Sequence, residues 1–287
     1  VPLPRRTSHW VEVADGVLAR RYEPWDVTVT VVRGADGLLV VDTRASARQG
    51  AELVEDLAAL GAPVRWVVST HAHFDHTFGS SRLGPGSALD APVHAHERVP
   101  AHLDAYERPM LAAWLAQGGE RAAELEGTVV TTPDVLVGDH LRLDVGGRAV
   151  DLRHLGRGHT DNDLVLHVPD AACWLLGDLV EESGPPMYGT GSFPLEWPAT
   201  LQALLAAVED GAVLVPGHGE PVDAAFVTAQ RADLAGVADL VRELHSAGVP
   251  ADQVVAAGGT RWPLPSEHLG TAVAEGYRAL AADAVAP

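Results

Sequence analysis

Apolar residues recur along the chain in two rhythms: short unbroken runs that read as strands, and longer stretches with apolar side chains three or four apart that read as helices. The runs at 27–33 and 38–42 flank Gly34-Ala35-Asp36-Gly37 and predict a hairpin. A helix is expected over 46–60, its apolar face carried by Leu53, Leu57 and Leu60, and Gly61-Ala62-Pro63 closes it. Residues 64–69 predict a buried strand and 91–94 another. A long helical stretch follows over about 97–126, with breaks expected at Pro100, Pro109 and Gly118-Gly119. Strands at 141–145, 149–155, 163–168 and 173–176 come next, separated by Gly and Pro-Asp turns. The pattern then gives a helix over 198–208, a short strand at 213–215, a long helix over 224–245 and a further helical piece at about 266–282. Two groups of strands, each followed by helices, predict an α/β chain of two packed sheets with helices outside. No internal repeat and no linker composition interrupts it. Residues 1–287 therefore read as one domain, with a helical insertion at about 97–126 and a helical extension at about 245–287.

Charge narrows the class. Acidic residues outnumber basic ones 39 to 20, every basic residue is Arg, and the formal net charge is −19. Nucleic acid and anionic lipid are bound through basic clusters that neutralise phosphates, and the chain offers none. A small-molecule substrate is the partner expected. The lone Cys173, inside an apolar run, excludes an intramolecular disulfide and reads as a buried thiol. No apolar run approaches the roughly 18 residues of a membrane span. Residues 1–10 are polar, with Pro and Arg and no apolar centre, so a cytoplasmic protein is expected.

The 14 histidines are unevenly spread, and the densest block is Thr70-His71-Ala72-His73-Phe74-Asp75-His76, directly after the strand at 64–69. His71 and His73, two apart at a strand end, can project to one side and meet one metal ion. Asp75 and His76 lie on the turn beyond and reach a second position nearby. Burying three imidazoles and a carboxylate so close together is costly without a cation. Three later residues repeat the theme: His159 in Gly158-His159-Thr160, Asp178 in Gly177-Asp178 and His218 in Pro216-Gly217-His218-Gly219. Each follows an apolar strand and has a glycine beside it. Ligands of open sheets collect at such strand ends. His94 and His96 share the spacing of a ligand pair but lack this context, and His102, His140, His154, His167, His245 and His268 lack even the spacing. Structural or surface roles are expected for all of them.

Asp42 at the end of 38–42, the block from His71 to His76, and then His159, Asp178 and His218 make up five ordered motifs, and in these the chain resembles the metallo-β-lactamase superfamily. The resemblance implies an αββα sandwich of two mixed sheets. It implies that His71, His73 and His159 bind one metal ion, that Asp75, His76 and His218 bind a second, and that Asp178 bridges both. Asp42 resembles the aspartate that orients the ligand loop without binding metal. Two ions would leave coordination positions open for water, as in catalytic sites, and would acidify that water toward a hydroxide nucleophile; Asp75 would orient the water or shuttle its proton. A donor set of imidazole and carboxylate suits zinc and also admits iron or manganese.

Two segments are expected to shape the substrate pocket. In the insertion, Tyr106, Met110 and Trp114 serve either as an apolar lid or as plain packing. The Gly- and Pro-rich stretch 181–197, with Glu181, Met187, Tyr188, Phe193 and Trp197, leaves Asp178 directly and must run near the metals. β-Lactam-hydrolysing relatives place a cysteine at the position of Asp178 and a lysine at that of Glu181, where a carboxylate would repel the drug's carboxylate. The Gly/Cys-rich segment of glyoxalase II is missing, and the charge balance disfavours the polyanions of RNA-processing relatives. The expectation is therefore a dinuclear hydrolase of a small, partly apolar ester, lactone, thioester or amide. The alternatives are a mononuclear iron dioxygenase that oxidises sulfur compounds and a non-catalytic binding protein of the same fold.

Overall fold

The computed structural model describes residues 9–283, so most of the stretch read above for targeting lies outside it. Seven strands form one sheet in sequence order: β1 (Val11–Ala14), β2 (Val17–Tyr22), β3 (Val27–Arg33), β4 (Leu38–Val41), β5 (Val64–Val68), β6 (Val93–His96) and β7 (Val135–Val137). Neighbours from β1 to β4 pair antiparallel, and those from β4 to β7 pair parallel. The second sheet contains β8 (His140–Val145), β9 (Arg148–Arg153), β10 (Val165–Val168), β11 (Cys173–Leu175) and β12 (Val213–Val215), antiparallel except for the β11–β12 pair. The helices are α1 (Ala47–Ala58), α2 (Phe74–Thr77), α3 (Val99–His102), α4 (Arg108–Gln117), α5 (Gly119–Leu125), α6 (Trp197–Ala207), α7 (Ala224–Ser246), α8 (Val254–Gly258) and α9 (Gly270–Asp283).

Side chains alternate across each strand, and both faces are covered, which is why β3 and β4 read as continuous apolar runs. Leu39 and Val41 join Val150, Leu152, Leu164 and Leu166 between the sheets. Leu38 and Val40 turn the other way, under Leu53 and Leu57 of α1. On the far side, Val165 and Trp174 pack beneath Leu201 and Leu204 of α6 and Leu234, Val237 and Val241 of α7. The layers run helix, sheet, sheet, helix, the αββα sandwich that the sequence predicts. Each buried Leu or Val is worth about 1.5–3 kcal/mol. A helix cap such as Ser46, which accepts from the Gln49 N–H, is worth about 1 kcal/mol. The apolar layers thus set the architecture, and caps only trim it.

The β1–β2 hairpin and the short β7 go beyond the elements the pattern gives. The insertion also differs. Its helix does not break at Pro100 or Pro109; α3, a π-turn at Leu103–Glu107 and α4 run on without interruption, and only Gly118, at φ +71°, stops them. Pro100 sits in the first turn, where the missing N–H costs nothing, and Pro109 follows directly on the π-turn, whose shifted hydrogen bonding accommodates it. At the other end of the chain, α8 and α9 pack against α7 through Val254, Leu269, Ala272 and Val273.

Candidate metal centre

The loops that leave β4, β5, β9, β11 and β12 meet at the seam between the two sheets. Backbone hydrogen bonds tie them together: Leu164 N–H to Thr70 O at 2.7 Å, Thr28 N–H to Gly217 O at 2.8 Å and Gly217 N–H to Gly177 O at 2.8 Å. Asp42 organises the β5 loop. Its Oδ1 accepts from Thr70 N–H, and its Oδ2 accepts from the Thr70 hydroxyl and from His76 Nδ1, each at 2.8 Å. Gly217 is required by close approach, since a Cβ there would stand 1.9 Å from Asp178 Oδ1.

The outward nitrogens of five imidazoles fix how each ring is protonated. His73 Nε2 donates to Thr190 O at 2.9 Å, His159 Nδ1 to Met187 O at 3.0 Å and His218 Nδ1 to Trp25 O at 2.8 Å. His76 Nδ1 donates to Asp42. Because the Thr70 hydroxyl proton goes to Asp42, its oxygen accepts from His71 Nδ1 at 3.1 Å. A neutral ring that donates outward presents a lone pair inward. Those inward nitrogens converge: His73 Nδ1 lies 3.1 Å from His71 Nε2 and 2.8 Å from His159 Nε2, and His76 Nε2 lies 3.3 Å from His218 Nε2. In the first group lone pairs this close repel unless a cation stands among them; at His76 and His218 protons held by the neighbouring carboxylates occupy the place a metal ion would take.

Asp178 lies between the two groups. Its Oδ2 is 3.3 Å from His218 Nε2, 3.5 Å from His159 Nε2 and 3.7 Å from His71 Nε2, and its Oδ1 is 3.2 Å from His76 Nε2. That Oδ1 is buried without a hydrogen-bond partner. Asp75 Oδ2 lies 3.4 Å from His218 Nε2 and 3.8 Å from His76 Nε2. Burial pulls His71 and His73 below the usual imidazole range and His159 down to about 3. Burial acts the same way on His76 and His218, but Asp178 and Asp75 outweigh it and hold both well above that range. Burial would lift Asp178, yet His76 and His218 keep it well below the carboxylate range. The donor set, the orphaned Asp178 oxygen and the converging lone pairs fit divalent metal ions.

A cavity of about 380 Å³ opens over this cluster. Met110, Glu181 and Met187 line it, as the sequence suggests. Glu181 is buried beside Asp178 and His218, and burial lifts its carboxyl to about 7. Five other expected pocket residues lie elsewhere. Tyr106 points to solvent at 42% exposure, Tyr188 and Trp197 are buried in the core beneath α6, and Phe193 stacks under Arg157. Trp114 closes a neighbouring recess and meets Phe74 edge-on at 5.2 Å. Sequence reasoning missed Trp25, Phe74, Glu107 and Thr190 in the wall. It also placed His102 at the surface or among satisfied residues; His102 is buried, 5.3 Å from the His73 ring, and its Nε2 has no hydrogen-bond partner. His94 bonds to Val67 O and His96 stacks on His154, both apart from the cluster. Among the described residues, no helix is long and apolar enough to cross a membrane.

Residues 22–218 match the family model described as the metallo-beta-lactamase superfamily. The chain is 26% identical over 229 residues to the acyl-coenzyme A thioesterase MBLAC2 of Homo sapiens, covering 72% of this chain and 79% of that one. It is 24% identical over 196 residues to a type 2 metallo-beta-lactamase of Bacillus cereus, covering 67% of each. Among solved structures it resembles a metallo-beta-lactamase from Pontibacter korlensis with a TM-score of 0.63, at 20% identity over 79% of this chain and 98% of that one.

Proposed function

The chain belongs to the metallo-β-lactamase superfamily, and from that premise we propose that it is a dinuclear metal-dependent hydrolase of a small, partly apolar acyl substrate. One observation carries the reading: five buried imidazoles satisfied on their outer nitrogens aim their inner nitrogens at two points, with Asp178 between them. His71, His73 and His159 would hold one ion, Asp75, His76 and His218 the other, and Asp178 both. Divalent ions there, zinc by donor preference, supply Lewis-acid polarisation and ionise water near neutrality. Asp75 lines the cavity, where it would orient the attacking water and take up its proton. Asp42 keeps His76 and the Thr70 backbone in place. Trp25, Phe74, Met110 and Met187 exclude solvent and receive the apolar part of the substrate.

The similarity to an acyl-coenzyme A thioesterase supports a thioester among the acyl classes. A β-lactam fits less well. Glu181 stands beside Asp178 and His218, and no arginine lines the cavity among the described residues to take the drug's carboxylate. The complete second set of donors supports hydrolysis over single-iron sulfur oxidation. The test is metal content of protein purified without added metal, with turnover of an ester, lactone, thioester and amide panel. Two zinc ions per chain with acyl turnover is the expected outcome; one iron with sulfur oxidation would overturn the reading.

A further inference from the structure

Glu107 is a buried carboxylate that the reaction above does not use. It closes the π-turn between α3 and α4, is 2% exposed and lines the cavity over the metal centre. A π-turn inside an α-helix often marks a functional position. Its Oε2 is buried without a hydrogen-bond partner. Its Oε1 stands 3.6 Å from His102 Nε2, too far for a hydrogen bond.

The orientation of His102 follows from its neighbours. Asn162 Oδ1 accepts from Ala72 N–H at 2.9 Å, so the Asn162 amide nitrogen faces the other way. It donates to Asp161 Oδ1 at 2.9 Å and to His102 Nδ1 at 3.3 Å. His102 therefore accepts on Nδ1 and carries its proton on Nε2, toward Glu107. This arrangement argues against a further metal ion held by His73, His102 and Glu107, whose donor atoms lie within 4.8 Å of one another. His73 Nε2 is committed to Thr190 O and His102 Nε2 is protonated, which leaves only the carboxylate free to ligate.

Nearby guanidinium groups are engaged elsewhere. Arg108 bonds to Asp104, Val130 O and Thr132; Arg98 bonds to Asp161 O; Arg121 covers Trp114 and Trp25. A buried carboxylate with an open oxygen is costly unless a donor arrives from outside. The cavity is the route by which one can; the apolar part of its wall includes Trp25, Phe74, Met110 and Met187. Glu181, Ser183, Thr190 and His268 are the other polar groups that line it away from the metal cluster. The occupant thus joins an apolar body to a hydrogen-bond donor of positive charge.

We propose that Glu107 anchors a protonated amine on the substrate, so that the acyl compound hydrolysed here carries an ammonium group. This rests on the hydrolase reading for the word substrate, and on the cavity alone for the binding site. Glu107 acts as a specificity residue. It touches no reacting atom, and a Glu107 oxygen lies within 4.8 Å of a His73 ring nitrogen.

The test measures binding of phenethylamine and of its uncharged analogue 2-phenylethanol to the metal-loaded protein by calorimetry near neutral pH. The amine is expected to bind about ten- to a hundredfold more tightly, the usual worth of a charge-assisted hydrogen bond. Glu107→Gln should erase the preference while metal content stays unchanged, and Glu107→Asp should retain part of it. Equal affinities in the wild-type protein, or a preference that survives Glu107→Gln, overturn the proposal. A parallel assay compares two thioesters of equal size, one bearing the amine and one a methyl group. Preference for the amine in binding with no turnover of either thioester, or of amine-bearing ester, lactone and amide counterparts, would sink the hydrolase reading and support the subsite. Turnover of both at equal kcat/KM would overturn the subsite alone.

Discussion

His71, His73 and His159 donate outward to uncharged oxygens, those of Thr70, Thr190 and Met187, whereas His76 and His218 stand among Asp42, Asp75 and Asp178. Burial therefore decides the first group and holds its rings below the usual imidazole range. Neighbouring carboxylates decide the second, where rings just as buried hold protons. Side chains of one type, some from a single loop of six residues, behave oppositely because His76 and His218 each have two or more carboxylates within 4 Å, whereas His71 and His159 have Asp178 alone, at 3.7 and 3.5 Å. An ion entering the three-histidine half displaces no protons. One entering the other half must displace those on His76 and His218.

The largest expected effect comes from the residue shared by both halves. Asp178→Ala should bring turnover to background and lower the metal content of both halves, read by metal analysis of the purified protein. Retention of two ions and activity would show that nothing bridges them. The next effect separates the halves by pH. Between about pH 5 and 6.5, the lower edge of the ordinary imidazole range, His76 and His218 are protonated and His159, at about 3, is not. Groups whose values are raised in the metal-free protein release protons when metal binds, so affinity falls as pH falls. The carboxylate-rich half should weaken by up to about 100-fold per pH unit, tenfold for each proton displaced, while the three-histidine half stays nearly level. Metal-competition titrations at successive pH values measure both slopes, and equal slopes would abolish the contrast.

A smaller effect is expected at Asp42, which touches His76 directly and His71 only through Thr70. Asp42→Ala should weaken the carboxylate-rich half by about 10–100-fold and the other half less. Stepwise metal loading resolves the two. Smallest is Glu181→Lys, which should raise kcat/KM for a carboxylate-bearing ester about tenfold and leave its methyl ester nearly unchanged, because the charge there acts on the ligand and not on the ions. An equal response of both esters would place Glu181 outside the pocket's field.

The residues of the cluster were legible because they follow apolar strands, as one dense block from His71 to His76 and as His159, Asp178 and His218 with a glycine beside each. The pocket wall was not. Trp25 comes from the β2–β3 turn and reaches the site because His218 bonds to its carbonyl across 193 positions of sequence. Tyr188 and Trp197 were read as pocket residues because their segment passes the site, but the side chains turn into the core under α6. The β1–β2 hairpin did carry a signal, Asp15-Gly16 between two short runs. Arg20 and Arg21 disguised the second run, since Arg21 is buried in that strand and paired with Asp26. Pro109 misled for a related reason: a proline marks a break only where its residue must donate, and the π-turn before it removes that requirement.

The seam on which the cluster is built has a mechanical consequence. His71, His73 and His76 hang from the seven-stranded sheet, and His159, Asp178 and His218 from the five-stranded one. Ions held in common would act as a clasp between two layers that otherwise meet through apolar contact and a few backbone bonds. Ligand bound only by the folded chain stabilises it by mass action, about 4 kcal/mol when free metal exceeds the dissociation constant a thousandfold. That is a large share of the roughly 5–15 kcal/mol by which domains hold together. Metal supply would then govern how long the sandwich stays closed as well as how fast it works.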